Sequence, residues 1–390
     1  MDTLIELFDR RPLENILGVE MFRPKRVVYI CPEDAARSAS LHKKMRAYFS
    51  RRGLQTELIF FKADVYSADA VLALLRTILE RYGDCAMDIT GGTDAVLFAA
   101  GLLSAEADIP VFTYSRKKNS FYSIRGADFA DGRLCTLRYL VEDFFLMAGG
   151  SVREGRAKNV ALERYLSDYD PFFAVFLRFR RDWTKIVTYS PRGSPGGADG
   201  SVSLEATGPY TVKGERGSRI DAPEEALRAL ESIGFITELR IAAEAVSFRF
   251  RDGQIRAWLR DVGSVLETYV YKACLDAGIF DDVRLSVIVD WESENTSNSV
   301  SNELDVMCCR GVVPLFISCK TCDVKTEALN ELAVLRDRFG GEMARAAIVT
   351  AERGNARMRN RAAELNIQVI DLSDLAADRL RRRLRNCMNA

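Results

Sequence analysis

For its first 150 residues the chain alternates short apolar runs with longer amphipathic ones, and this alternation restricts the fold more than any other feature of the sequence. Thr3–Leu7, Arg26–Cys31, Thr56–Phe61, Cys85–Ile89 and Val111–Ser115 have the length and the β-branched or aromatic content of strands. Between them Leu13–Met21, Ala36–Arg51, Ala68–Arg81 and a stretch ending at Ala107 repeat apolar residues at helical spacing. Strands joined through helices run parallel, with helices covering both faces, so a doubly wound α/β sheet is expected. Phe121–Ile124 adds a return strand after the turn Arg116-Lys117-Lys118-Asn119. Open sheets of this kind take ligands at the carboxyl ends of their strands.

One of those ends carries Thr90-Gly91-Gly92-Thr93, between a strand and a helix. Two glycines let a ligand approach the backbone closely, and the helix N-terminus presents free N–H groups, which suits a phosphate or a polar ribose. A tight strand-to-helix turn also needs glycine on steric grounds alone, and both readings stand at this point. The segment has neither the G-x-G-x-x-G of a dinucleotide fold nor the G-K-[ST] of a P-loop, so NAD and ATP are poor candidates.

A second α/β module follows Gln254. Its helix sets Leu259, Val262, Leu266, Val270 and Cys274 on one apolar stripe with Glu267 at the margin, facing the strands that follow. After the strand Val283–Val289 come Asn302-Glu303-Leu304-Asp305-Val306 and Phe316-Ile317-Ser318-Cys319-Lys320, then a helix Glu327–Phe339 and a strand Ala346–Thr350. Side chains two apart on a strand share a face, so Glu303 pairs with Asp305, and Ser318 with Lys320. Two carboxylates beside a lysine are what metal-dependent phosphodiester cleavage needs. The acids would hold Mn²⁺ or Mg²⁺, and the lysine would orient water or offset phosphate charge. An ordinary salt-bridged strand pair would use the same residues.

Cys308, Cys309, Cys319 and Cys322 invite a zinc site, but one pair is adjacent and Cys319 sits inside an apolar strand, unlike the paired knuckles that thiolate zinc sites use. The single histidine, His42, rules out histidine-rich metal sites and paired-histidine ribonuclease chemistry within one subunit. Arg37 to His42 does match R-x-x-x-x-H, the pattern of HEPN ribonucleases, but on the first helix after a strand and outside any all-helical module. Lys+Arg and Asp+Glu both count 55, so a polyanion must be met by local clusters. The candidates are Arg353, Arg357, Arg359 and Arg361, and a C-terminal run of Arg379, Arg381, Arg382, Arg383 and Arg385 that reads equally as a solvated helix face.

Nine scattered cysteines, no signal-like start and no apolar run of roughly 18 residues predict a cytoplasmic protein without a membrane span. Between the modules, residues 131–189 read as largely helical, with Phe172, Phe173, Phe176 and Phe179 as a core or dimer stripe. Residues 190–219, rich in Gly, Ser and Pro, read as a loop or linker. Pro223–Ile233 as helix and Ala245–Arg251 as strand then suggest a small winged-helix-like connector.

Taken together, the strand-helix-strand start, the TGGT junction, Val246-Ser-Phe-Arg-Phe-Arg and the E-L-D…I-S-C-K core resemble the CRISPR-associated nucleases that fuse a CARF sensor to a PD-(D/E)xK nuclease. The resemblance implies a Rossmann-like CARF domain over 1–149, a helical and winged-helix-like connector over 150–253 and a restriction-endonuclease-like domain over 254–390. It implies a homodimer of type III CRISPR defence, switched on by a cyclic oligoadenylate, typically the tetra-adenylate, and cutting DNA or RNA. The cyclic nucleotide would meet Thr90, Gly91, Gly92 and Thr93, with Arg11, Glu33 and Lys117 as neighbours. Asp305 and Lys320 fall on the nuclease signature, whose second acid is replaced here by Ser318. Glu303 or Glu267 would supply the missing carboxylate. The departure at Ser318 leaves a second reading, a catalytically weak or inactive DNA-binding regulator responsive to the same ligand.

Overall fold

Two six-stranded sheets organise the chain, with a smaller β-containing unit between them in sequence. The computed structural model describes residues 1–152, 162–189, 203–214, 218–291 and 301–389.

The N-terminal sheet contains β1 (Thr3–Leu7), β2 (Arg26–Cys31), β3 (Glu57–Lys62), β4 (Cys85–Asp88), β5 (Val111–Ser115) and β6 (Ser120–Arg125). Its order is β3-β2-β1-β4-β5-β6, with β6 alone antiparallel. This is the doubly wound arrangement expected from the sequence, and the strand order reverses between β1 and β4, where a crevice opens at the carboxyl ends. Alternation splits the core by face. Ile5, Leu7, Val28, Ile30 and Met87 pack under the helices Ala68–Arg81 and Asp94–Glu106, while Leu4, Val27, Tyr29 and Ala86 join the opposite layer. The expected helix Ala36–Arg51 is two helices, Glu33–Arg37 and Ala39–Arg51, because Ser38 turns extended and caps the second through Leu41 N–H at 3.2 Å.

Residues 131–140, expected as helix, contain none; Cys135 and Tyr139 are nevertheless buried along this extended path. Helix begins at Val141–Met147 and resumes in Tyr169–Phe179 and Trp183–Tyr189. Ser151–Val152 forms β7, which joins the second sheet. Part of the Gly/Ser/Pro-rich segment, 190–202 and 215–217, lies outside the described residues. Its remainder is not loop. It supplies β8 (Glu205–Pro209), β9 (Thr211–Lys213) and the start of β10 (Arg219–Asp221). With the helix Glu224–Ser232, β11 (Ile236–Ile241) and β12 (Ala245–Phe250), these make the winged-helix-like connector.

The phenylalanine stripe is core. Phe172 stacks on Phe235 and Trp258, and Phe173 lies on Tyr269 with ring centroids 3.5 Å apart. Truncating the fully buried Phe172 to alanine would cost about 3–5 kcal/mol.

The second sheet runs β17-β16-β15-β14-β13-β7, using β13 (Asp282–Asp290), β14 (Ser301–Arg310), β15 (Val313–Lys320), β16 (Arg345–Thr350) and β17 (Ile367–Ile370). The helix expected from Gln254 is broken into Gly253–Trp258 and Ser264–Ala277. The break falls at Gly263, where a Cβ would stand 2.8 Å from the Glu267 carboxylate, so glycine makes room for an acid on the second helix. A continuous apolar layer joins the two sheets, with Phe145 of the N-terminal module against Phe339 at 5.0 Å and Phe316 at 6.5 Å.

Candidate nuclease site and ligand rim

Strands β14 and β15 pair from Arg310↔Val313 back to Val306↔Ile317 and then stop. Asp305 stands in the mouth of the gap. Its Oδ2 accepts the Cys319 N–H at 2.6 Å and the Ser318 hydroxyl at 3.1 Å, with Lys320 Nζ 3.7 Å away. On the other side of β14 the pairing with β13 passes from Leu285↔Val306 to Val287↔Leu304, and Ser286 between them takes a left-handed φ of 52°. The ladder is thus interrupted on both flanks of Asp305 while its register, and with it the strand alternation, is kept.

Glu267 enters from the first turn of the helix Ser264–Ala277. Burial, and then the charges of Asp305, Asp261 and Glu303, push its carboxyl up to about 8, against the opposing pull of Lys320. Glu267 therefore carries a proton at neutral pH in the free protein. Asp305, Ser318, Lys320 and Glu267 form one neighbourhood. Glu303 is exposed on β14 and reaches it only through its charge.

The donor set decides whether a divalent cation suits this place. Asp305 Oδ1 has no protein partner among the described residues, and the negative charge that adds to burial in raising Glu267 is a repulsion that a cation would relieve. Hard carboxylate oxygens suit Mg²⁺ or Mn²⁺. Among the described residues no group of three or more His, Cys, Asp or Glu side chains is placed to hold an ion alone, so water and substrate phosphate would have to complete the shell. Cys308 and Cys309 point into opposite core layers, and Cys319 is buried in the layer that holds Cys308, so thiolates do not converge on the site.

The basic clusters separate on inspection. Lys320 pairs in register with Thr350 at the end of β16, and Arg353 and Arg357 follow directly, exposed and without ion partners among the described residues. Arg359 is tied to Asp371, and Arg361 to Glu364 and Asn330. In the C-terminal helix Ala377–Cys387, Arg385 donates to the Ala277 carbonyl, Arg383 to that of Val369, and Arg381 meets Asp276. That run mostly fastens its own helix.

At the N-terminal sheet, Arg11 follows β1, Glu33 follows β2, Thr90–Thr93 follows β4 and Lys117 follows β5, so every expected ligand residue lies on the carboxyl-end rim. Their roles differ. Thr90 bonds to Asp88 through both its N–H and its hydroxyl, and its oxygen receives Tyr114 N–H at 2.9 Å. The Thr93 hydroxyl donates to the Val65 carbonyl at 2.7 Å. Both threonine hydroxyls therefore build the turn. Gly92 has φ 104°, and a Cβ there would stand 2.9 Å from Leu7 Cβ; at Gly91 it would stand 2.9 Å from the Leu7 carbonyl. Glycine is sterically required at both. Glu33 is exposed and paired with Lys62 and Arg37, whereas Lys117 is exposed and unpaired among the described residues. His42 stacks on Phe60 with centroids 3.8 Å apart and contacts the Ala35 carbonyl, a packed position with no catalytic partner.

Sequence reading named Arg11 but not its partners Asp9, Glu14 and Glu342, nor a ligand role for Arg116. Arg11 is clamped by Asp9 at 2.7 and 2.9 Å, and both Arg11 and Arg116 reach Glu342 of the second module, with Arg116 also on Glu14. Only the basic turn around Arg116 was visible as a signal. Glu14 and Glu342 had none, because Arg116, their shared partner, lies more than a hundred residues from each in sequence.

Residues 254–390 match the model of the endonuclease domain of Card1-like proteins. No curated protein sequence matches the chain. Among solved structures, protein VC1899 from Vibrio cholerae shares the fold with a TM-score of 0.76 at 17% identity, over 99% of this chain and 98% of that one. Can2 from Sulfobacillus thermosulfidooxidans, in complex with cyclic tetra-adenylate, shares it with a TM-score of 0.71 at 16% identity, over the whole of both chains. The expected fold, a doubly wound N-terminal module, a winged-helix-like connector and a C-terminal endonuclease-like module, is therefore present, and the resemblance is borne out in that fold and in the Card1-like endonuclease span.

Proposed function

We propose that this chain, a CARF-type sensor joined to a Card1-like endonuclease domain, is a metal-dependent endonuclease that cuts DNA or RNA when cyclic tetra-adenylate binds its sensor rim. The observation that carries the reading is the gap between β14 and β15. Within the matched endonuclease span, Asp305 is held by Ser318 and Cys319 N–H beside Lys320, with a strained acid, Glu267, facing it. Asp305, Glu267 and at longer range Glu303 would hold Mg²⁺ or Mn²⁺. When bound, such an ion lowers the pKa of its water and offsets charge on the scissile phosphate.

The chain's own residues account for the rest. Ser318 and the Cys319 N–H fix the Asp305 carboxylate, so its free oxygen is aimed without reorganisation. Lys320, about one-third exposed, offers a mobile ammonium to water or to a phosphate oxygen. Arg353 and Arg357 extend positive charge along the strand end that pairs with Lys320 and would guide the backbone of the substrate.

We read the working unit as a homodimer in the reducing cytoplasm, serving type III CRISPR defence. A ring with four phosphates can be twofold symmetric and suits an isologous dimer, and all nine cysteines are free thiols. No helix among the described residues is long and apolar enough to cross a membrane. Two observations favour a second reading: Ser318 stands where the signature has an acid, and no three-carboxylate group is formed among the described residues. That reading is a ligand-responsive DNA-binding regulator with little or no cleavage. A cleavage panel on single- and double-stranded DNA and RNA, with cyclic tri-, tetra- and hexa-adenylate, separates the two; turnover that needs both the ring and a divalent cation supports the nuclease.

A further inference from the structure

Two arginines on the sensor rim are occupied by a carboxylate of the nuclease domain. Arg11 and Arg116 both contact Glu342, which lies in the Gly341–Met343 turn between the helix Thr326–Gly340 and β16. The same arginines touch Asp9 and Glu14, whose Cβ atoms lie 2.9 and 3.4 Å from where a Gly91 Cβ would be, so the ion cluster sits over the glycine junction. Asp9 and Glu14 belong to the rim and already balance two guanidinium charges. Glu342 is the third anion and the one supplied from outside the sensor.

Its surroundings favour a more highly charged replacement. A cleft of about 1290 Å³ opens between the domains, lined by Arg116, Lys117, Arg310 and Arg345 together with Glu342. Lys117 and Arg310 are exposed and have no ion partner among the described residues. A phosphodiester entering this cleft offers Arg116 the two-oxygen contact that the Glu342 carboxylate offers, with the unpaired Lys117 and Arg310 beside it.

We propose that Glu342 is an internal stand-in for phosphate. In the free protein it holds Arg11 and Arg116, and the anionic activator displaces it, so ligand binding releases a turn of the nuclease domain. The inference rests on the reading of the rim as a cyclic-oligoadenylate site. The turn leads into β16, whose far end, Thr350, pairs with Lys320. One strand therefore connects the displaced carboxylate with the candidate catalytic lysine. The pairs are about one-third to one-half exposed, which sets a moderate strength suited to exchange rather than permanent locking.

The test is calorimetric titration of cyclic tetra-adenylate into the full chain as wild type, Glu342→Gln, Glu342→Asp and Arg116→Gln, paired with cleavage as a function of activator. Glu342→Gln should bind roughly three- to tenfold tighter and reach half-activity at correspondingly less activator. Glu342→Asp, charged but shorter, should fall between it and wild type, and Arg116→Gln should bind more weakly. Wild-type or weaker affinity in Glu342→Gln overturns the proposal. So does a marked fall in its melting temperature, which would make the carboxylate a structural tie. A wild-type chain that takes up no activator defeats the underlying reading of the rim instead, and is told apart by the wild-type titration alone.

Discussion

Cys319 donates its backbone N–H to Asp305 Oδ2 across 2.6 Å at the point where β14 and β15 cease to pair. A side chain thus occupies the ladder position that a carbonyl would fill, and the Ser318 hydroxyl adds a second bond to the same oxygen. Replacing Asp305 by alanine should lower cleavage about 10²-fold or more while leaving activator affinity unchanged. Ser318→Ala, which removes an aiming contact only, should cost about tenfold or less. Single-turnover rates with saturating activator measure both, and equal losses would contradict the division of roles.

Glu267 gives the site a pH dependence with a defined sign. Its carboxyl, raised to about 8 by burial and by Asp305, Asp261 and Glu303, must lose a proton before it can hold a cation. The Mn²⁺ or Mg²⁺ concentration for half-activity should therefore fall as pH rises from about 6 toward 8. Glu267→Gln should flatten that slope and raise the metal requirement. Metal titrations at three pH values check it.

A second acid pair is expressed in stability. Glu6 and Asp88 are in register on β1 and β4, fully buried, and three of their four oxygens have no hydrogen-bond partner. Burial, with Asp88 as the second cause, raises Glu6 well above the usual carboxylate range. Burial also raises Asp88 to about 7, held back by Thr90. Because Thr90 favours ionised Asp88, the proton resides on Glu6. The folded state binds protons that the unfolded chain releases, so this stabilisation is complete below the ordinary carboxylate pKa and declines as pH rises above it, the share of Asp88 being lost through about 7. Glu6→Gln should be the more stable protein at pH 8 by denaturant unfolding, and the two should converge near pH 4.

Much of this was legible in advance, and what was not has a common cause. Strands β1, β2 and β5 fall on their predicted residues because short apolar runs rich in β-branched and aromatic residues are local signals. Asp305 and Lys320 were visible because strand alternation alone places them. Sequence could not show that Ser318 would aim Asp305, since that depends on where a ladder ends, nor that Glu342 would answer Arg11, since that contact spans 331 residues. The helix break between Trp258 and Ser264 was missed because the apolar stripe from Leu259 to Cys274 runs on through it.

Gly92 is too crowded to probe the rim cleanly, since any side chain there meets Leu7 at a φ of 104°. Lys117, exposed and unpaired among the described residues, is the better probe. Lys117→Glu should weaken cyclic tetra-adenylate binding about tenfold or more without lowering the melting temperature. Unchanged affinity would remove the β5–β6 turn from the site.

Arg353→Glu combined with Arg357→Glu should weaken substrate binding and reduce the slope of log affinity against log salt by about 2. The same reversal at Arg359 would instead break its bond to Asp371 and show as lost stability. Binding isotherms at several salt concentrations separate these effects.

The central claim is a cation-requiring nuclease under ligand control, and its most direct test is strand cleavage of circular and linear nucleic acid by the purified chain. The assay compares wild type and Asp305→Ala, with and without cyclic tetra-adenylate, each with Mn²⁺ or with chelator. The account predicts products only in wild type with both ring and metal present. Cleavage by Asp305→Ala at the wild-type rate, or wild-type cleavage undiminished by chelator or by omission of the ring, would contradict it.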